Sequence, residues 1–469
     1  MNQDPSPYLQ QLESLGPVGQ WAYQKIIHLV LEVVQLRREL QETQAQVKQL
    51  EEQLQEVQRQ AHRQAAPFRR PDWQRSRHPG RPGRKAGHAG SYRRVPERID
   101  WEVEVPLKVC PHCGGPVRDK RQRVQYIEEI PPVRPEVTRL TTEEGWCDHC
   151  QRQVYTTHPL QTSRATGAAG VQLGPRALAL ACDLNKGHGL SMRRTVAILR
   201  EHFGLDLTAG GLAQLVQRVG RRLRPQYQQM GLALRHSGVV HADETSWWVG
   251  GPGWWLWVFA TEQCTYYVVA RSRAGAVAEV VLGQQFEGVL VTDCLAIYDK
   301  LNPHQQKCYS HHLKAIADAL QQVGPAGSEY LLRLRALLRT GLILKGLQGG
   351  DEPERFEQCV VELKRRAAAL LQTPRSCRIE EKVRRRLWKQ WDHLFTFLER
   401  SQVPATNNLA ERQLRPAVIA RKLSCGNKTA RGAEAWAILA SVAATCRQRH
   451  QSFVAELCRH LVLPPVRGP

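Results

Sequence analysis

The chain has 469 residues, with 66 Lys+Arg against 44 Asp+Glu, a formal net charge of +22 and a pI near 9.8. That length accommodates about three domains at roughly 150 residues each, and the charge favours a polyanionic partner without bearing on fold. No N-terminal stretch has the charged, apolar and small-residue order of a signal peptide, and the densest apolar run, Trp254 to Ala260, is too short for a bilayer. The expectation is a soluble, cytoplasmic protein with no membrane partner.

Residues 1–63 carry a heptad. Position a is Ile26, Val33, Leu40, Val47, Leu54 and Ala61, and position d is Leu29, Leu36, Thr43, Leu50 and Val57. Gln, Glu, Arg and Lys fill most other positions, which predicts a coiled coil and self-association, most simply as a dimer. Residues 64–105 form a basic linker. From Arg59 to Arg98 twelve Lys/Arg, among them Arg81, Arg84 and Lys85, stand against Asp72 and Glu97. Pro and Gly punctuate it, so it reads as an extended segment able to run along a phosphate backbone.

Residues 106–160 contain Cys110-Pro-His-Cys113 and Cys147-Asp-His-Cys150, thirty-three residues apart. Two such pairs present four thiolates to one tetrahedral ion, and the expectation is a structural Zn²⁺ with no open position for chemistry. The intervening segments 124–130 and 136–145 alternate like strands of a small β module. In residues 161–236, SMRRTVAILREHFG and TAGGLAQLVQRVGRRL flank a short turn, as in a helix-turn-helix, although a plain helical pair bridging two domains fits equally. Arg193, Arg194, Arg218, Arg221 and Arg222 are its candidates for phosphate.

From Gly238 the period becomes that of strands: GVVHADETSWWV, WWLWVFAT and CTYYVVA, the first two joined by a hairpin turn. A helical stretch follows, then GVLVTDC. Three strands, a helix and a strand ending in Asp is the order of an RNase H-like domain, placed here at residues 237–424. Asp243 and Asp293 close two buried strands, and Glu411 opens a helical segment. Asp243 and Glu244 face opposite ways, and Asp243 shares its face with His241 and Thr245. Two strand-borne aspartates and a helix-borne glutamate suit a pair of divalent ions clamping a phosphodiester. Asn408 to Glu411 also fits a capping box, while Arg412 and Arg415 are placed to orient the carboxylate or grip phosphate. Pro416 is expected to kink the helix.

Residues of about 313–400 read as a helical insertion with its own core and further DNA-facing charge, and residues 425–469 as a C-terminal helical segment. Trp247, Trp248, Trp254, Trp255 and Trp257 either fill a sheet face or stack on unpaired bases. The whole is a multidomain α+β chain.

HADET, TDCLAIY, KCYSHHLK, NNLAERQLRP and TARGAEAW resemble the insertion-sequence transposases of the IS-sixty-six type. The resemblance implies an N-terminal coiled coil, a zinc-binding region and a DDE catalytic domain in which Asp243, Asp293 and Glu411 hold two Mg²⁺ ions. It also implies DNA partners (transposon ends and target), nucleoid association and small accessory proteins. The family has Cys-Trp-Ala-His where this chain has Cys308-Tyr-Ser-His311. Two other classes stay open: a catalytically inactive DNA-binding or regulatory protein derived from a transposase, and an RNase H-like nuclease.

Overall fold

A computed structural model describes residues 17–62, 87, 93–301, 304–324 and 328–462. The chain divides into two compact units, Met1–Glu128 and Glu129–Pro469.

In the first unit a 46-residue helix runs from Pro17 to His62. Its heptad residues Leu29, Val33, Leu36, Leu40, Val47 and Leu50 are 47 % to 63 % exposed. Residues 93–128 form neither helix nor strand; the strand expected at 124–130 is absent, and Val124 and Ile127 project outward. Alternation alone supplies no ladder partner, and a strand without one does not form. At Cys110 a tight turn closes through Gly114 N–H to Cys110 O (2.9 Å) and Cys110 N–H to Gly115 O (2.9 Å). Arg81, Arg84 and Lys85 lie outside the described residues.

The second unit begins with an antiparallel hairpin, β1 (Glu144–Cys147) and β2 (Arg152–Tyr155), around the second cysteine pair. Of the strand expected over 136–145 only its last two residues enter β1. Helices Met192–Phe203 and Ala209–Arg222 follow, each started by a side-chain cap (Ser191, Thr208) and separated by Gly204 in the left-handed region. Their apolar faces do not close on each other alone. Leu199, Leu212 and Val216 share a core with Ile438, Leu439 and Leu457 from the C-terminal helices Ala430–Gln448 and Phe453–Leu461. The Ala430–Gln448 helix is buried almost all round, as a core helix must be. Its Ser441 and Thr445 hydroxyls accept the Tyr267 and Thr265 amides (2.8 and 3.0 Å) at the edge of the main sheet.

That sheet contains β3 (Val239–Trp247), β4 (Trp254–Ala260), β5 (Thr265–Ala270), β6 (Val289–Thr292) and β7 (Gln305–Lys307), ordered β5-β4-β3-β6-β7. The first three are antiparallel; β6 and β7 run parallel to β3. A crossover helix, Ala276–Leu282, links β5 to β6, as a parallel connection requires.

The insertion is helical: Tyr309–Val323, Glu329–Leu347, Pro353–Gln372 and Arg378–Lys389. It differs from expectation in two ways. Its core is not its own, since Leu331, Leu334, Leu363 and Phe397 join Val289 and Val291 of β6 in one cluster. Much of its basic charge is also met internally, Arg365 and Arg366 by Glu362, and Arg384 and Arg385 by Glu381.

Candidate active site

β3 and β6 pair in parallel with Val239 opposite Val289, Val240 opposite Leu290 and His241 opposite Val291. The same offset carries on to Asp243 and Asp293, one residue past the end of β6, at the mouth of two adjacent strands. Backbones at this spacing are about 4.8 Å apart, so the carboxylates emerge side by side. Asp243 Oδ1 accepts the Glu244 N–H (2.8 Å), and Asp293 Oδ1 accepts the Leu295 N–H (2.9 Å). Burial, followed by the charges of Glu244, Asp293 and Glu411, pushes the Asp243 carboxyl up to about 7 against the pull of that amide.

Glu244 shows the opposite solution on the other face of β3. Its buried carboxylate receives Arg273 (2.9 Å) and the Tyr298 hydroxyl (2.5 Å). A buried acid so paired is held in place and has little left to offer a ligand.

Glu411 rides on the helix Asn408–Ser424, which runs on through Pro416. The residue that fixes this helix is Asn407, its N-cap, fully buried. Asn407 donates from Nδ2 to Ala242 O (2.8 Å) and its Oδ1 lies 3.0 Å from His241 Nδ1. Its N–H points at Cys308 Sγ (3.2 Å). Burial holds His241 down at about 4, so it meets Asn407 as a neutral ring. The capping box at Asn408 does not form, because Asn408 is already helical and Asn407 spends its side chain on β3. Glu411 donates its N–H to Asn407 O (3.2 Å), and its carboxylate remains for the site.

Beside it, Cys308 Sγ, a His311 ring nitrogen and a Glu411 oxygen lie within 4.8 Å of one another, with His311 Nδ1 3.9 Å from Glu411 Oε1. Burial works to raise the Cys308 thiol, but His311 and the Asn407 amide outweigh it and hold it below its ordinary value. His311 is raised in turn, first by Cys308 and then by Asp293 and Glu411. Sequence reasoning passed over Asn407, although the doubled Asn of TNNLAERQLRP was the available signal. It also missed Arg273 and Tyr298, which separate the role of Glu244 from that of Asp243.

Among the basic candidates, Arg412 and Arg415 are exposed on the Glu411 helix, Arg193 and Arg194 on the first turn of Met192–Phe203, and Arg218 and Arg221 on the next helix. Arg222 is a correction: its guanidinium is turned inward onto Leu461 O (2.5 Å) and Thr162 O (2.7 Å), so it ties elements together. Of the tryptophans, Trp257 and Trp247 are buried, the latter against Trp436 at 4.7 Å between centroids. Cys110 and Cys113 lie in the first unit, Cys147 and Cys150 in the second. In each pair the leading thiol is held below its ordinary value, Cys110 chiefly by the His112 amide and Cys147 by the Cys150 amide. Among the described residues no helix is long and apolar enough to cross a membrane.

A family model described as "Transposase IS66 family" matches residues 170–435. Two proteins of Sinorhizobium fredii (strain NBRC 101917 / NGR234) are similar to the chain. "Uncharacterized protein y4jD" is 23 % identical over 376 residues, covering 74 % of this chain and 72 % of that one. "Uncharacterized protein y4qI" is 24 % identical over 405 residues, covering 78 % and 71 %.

Proposed function

The chain belongs to the IS66 transposase family, and on that premise we propose that it is a DDE transposase of a bacterial insertion sequence, with Asp243, Asp293 and Glu411 as its catalytic acids. The observation that carries this reading is the register of β3 and β6, which sets Asp243 beside Asp293, with the charge of Glu411 felt at a buried carboxyl already raised to about 7. Three carboxylates that repel one another in a half-buried site gain most from divalent cations, so their chemistry fits Mg²⁺ or Mn²⁺. The sheet order β5-β4-β3-β6-β7 supports an RNase H-like domain.

Asp243, Asp293 and Glu411 would hold the ions, which would supply electrostatic stabilisation to the phosphodiester's reacting oxygens. The rest falls to the protein. Asp243 gives up its proton before it can ligate, Asn407 locks the Glu411 helix onto β3 so that the third acid faces the pair, and Arg412 and Arg415 grip flanking phosphates. Water attacks the phosphodiester at the element's end, leaving a 5′-phosphate and a free 3′-hydroxyl; that hydroxyl then attacks a target phosphate in line, and the phosphate's bond to the target 3′-oxygen breaks to release a target 3′-hydroxyl. Around this chemistry the exposed seam of Pro17–His62 would pair two copies, the spacing of Cys110 and Cys113 and of Cys147 and Cys150 suits thiolate ligands of a structural Zn²⁺, and Arg81, Arg84, Lys85, Arg193 and Arg194 would track the DNA backbone.

The test incubates the protein with labelled duplex carrying the element's terminal sequence and Mg²⁺, beside Asp293→Asn. Nicking and strand transfer by the wild type alone are expected. Binding with no nick from either protein would overturn the reading in favour of a catalytically inactive DNA-binding protein, and nicking without transfer would favour a nuclease.

A further inference from the structure

Beyond the acids, the two elements that carry Asp243 and Glu411 build a second feature. Four residues along β3 from Asp243 stands Trp247, and ten residues along the helix from Glu411 stands Arg421. These residues, with Trp248, Trp254 and Cys425, line a cavity of about 370 Å³ at the tip of the β3–β4 hairpin. That volume lies in the range of roughly 300–1,000 Å³ usual for small-molecule sites.

The cavity is built into the fold. The Cys425–Lys428 loop is clamped to the hairpin by Asn427, which donates its N–H to Trp248 O (2.8 Å), accepts the Gly250 N–H (2.9 Å) and accepts the Trp247 indole N–H (2.8 Å). Gly426 passes so close that a Cβ there would sit 2.5 Å from Trp248 O. The Arg421 guanidinium is held at the rim through Nη1, which donates to Thr245 Oγ1 (3.1 Å), Ser246 Oγ (2.9 Å) and Ser246 O. Trp247, tilted at 44° against Trp436, belongs to the core, whereas Trp248 leaves 46 % of its surface exposed. Arg271 covers one face of Trp254 at 4.7 Å. Among the described residues lining the cavity none is acidic.

We infer that this cavity takes a nucleobase swung out of the DNA whose phosphate is held at the acid site. Indole walls stack on any base without sequence preference, and an arginine at the rim meets the accompanying phosphate. Four strand residues span about 13 Å, roughly four duplex steps at 3.4 Å each. The extruded base therefore lies within about four nucleotides of the scissile phosphate. Trp248, the half-exposed ring of the cavity, thus gains an occupant, and the chain's excess of 22 positive charges selects a polyanion for it. The inference rests on the proposal that Asp243, Asp293 and Glu411 address DNA.

The experiment scans 5-iodouracil through the six nucleotides on either side of the nick in an end duplex and irradiates the complex with the full-length protein at long wavelength. Crosslinked peptides are mapped, and nicking is scored in parallel reactions. Crosslinks from one or two positions to Trp248 or Trp254 are expected. Trp248→Ala should lower crosslinking and end affinity by about tenfold, and Trp248→Phe should restore most of both. Crosslinks that avoid these tryptophans on a duplex that is bound and nicked would overturn the pocket and leave the acid site standing. Crosslinks to Trp248 without nicking would keep the pocket and overturn the catalytic reading. Unchanged affinity in Trp248→Ala, or no binding of the duplex at all, also overturns the inference.

Discussion

Along β3 and β6 the apolar residues leading to Asp243 and Asp293 are sealed, with Val240, Ala242, Val289, Leu290 and Val291 showing no exposed surface. Along the Pro17–His62 helix, Leu29, Leu36, Leu40 and Leu50 each leave more than half of theirs exposed. The sheet finds every partner it needs within one chain: antiparallel neighbours on one side, parallel neighbours on the other, and helices over its face. The helix has the composition of half a seam. The proposed chemistry lies in the first region, while the second carries an apolar stripe that the proposed pairing of two copies would cover.

The largest effect that sharpens this contrast is expected at the seam. Leu36→Asp with Leu40→Asp removes four leucines from a dimer interface at about 1.5 kcal/mol or more each, weakening association by about 10⁴-fold. Sedimentation should show monomers with unchanged near-ultraviolet dichroism from the sheet. A dimer that survives both substitutions would mean that the exposed stripe serves something else.

Within the sealed region the most sensitive bolt is Asn407. Asn407→Ala strands His241 Nδ1 and Ala242 O, both buried, at a cost of about 2–4 kcal/mol in unfolding free energy. Because it orients the Glu411 helix, nicking should fall by about 10–100-fold, the scale seen when the partner of a metal ligand is lost. Retention of full activity in a folded Asn407→Ala protein would remove Asn407 from the account.

The raised Asp243 carboxyl makes a pH prediction of moderate size. From about pH 4 to about pH 7 the ion-free folded protein keeps a proton on Asp243 that the unfolded chain has released. Its contribution to stability is therefore present at the acid end of that window and is lost as pH rises through 7. Divalent ions require the ionised form, so the Mg²⁺-induced rise in Tm should grow from about pH 6 to about pH 8. Calorimetry of wild type beside Asp243→Asn checks it, and an equal Mg²⁺ shift at both values would count against a proton–metal exchange at this residue.

The smallest effect separates two arginines on one helix. Arg218→Ala should leave Tm nearly unchanged and reduce the salt slope of DNA binding by about 0.9. Arg222→Ala should cost about 1–3 kcal/mol through the lost bonds to Leu461 O and Thr162 O, with the salt slope intact.

What was legible in the sequence was local. The apolar runs ending in Asp243 and Asp293, the hairpin between Trp247 and Trp254, and four helices of the insertion follow from periodicity and turn residues within a few positions. What was not legible depends on distant partners. Asn407 bonds a residue 165 positions away, Arg222 reaches 239 positions to Leu461, and the insertion shares its core with β6. Pattern cannot show whether a strand finds a neighbour, which is why 124–130 alternates and yet forms no ladder among the described residues. At the acid site the sequence offered three residues, and the parallel register placed two of them side by side.

Asp243, Asp293 and Glu411 are proposed to hold a pair of divalent ions together. Electron paramagnetic resonance of the zinc-loaded full-length chain titrated with Mn²⁺ tests it most directly. Two bound Mn²⁺ per chain are predicted, exchange-coupled at a separation of about 3.5–4 Å, with the coupled signal lost in Asp293→Asn and in Glu411→Gln. Uncoupled Mn²⁺, or a coupled signal that both variants retain, would contradict it.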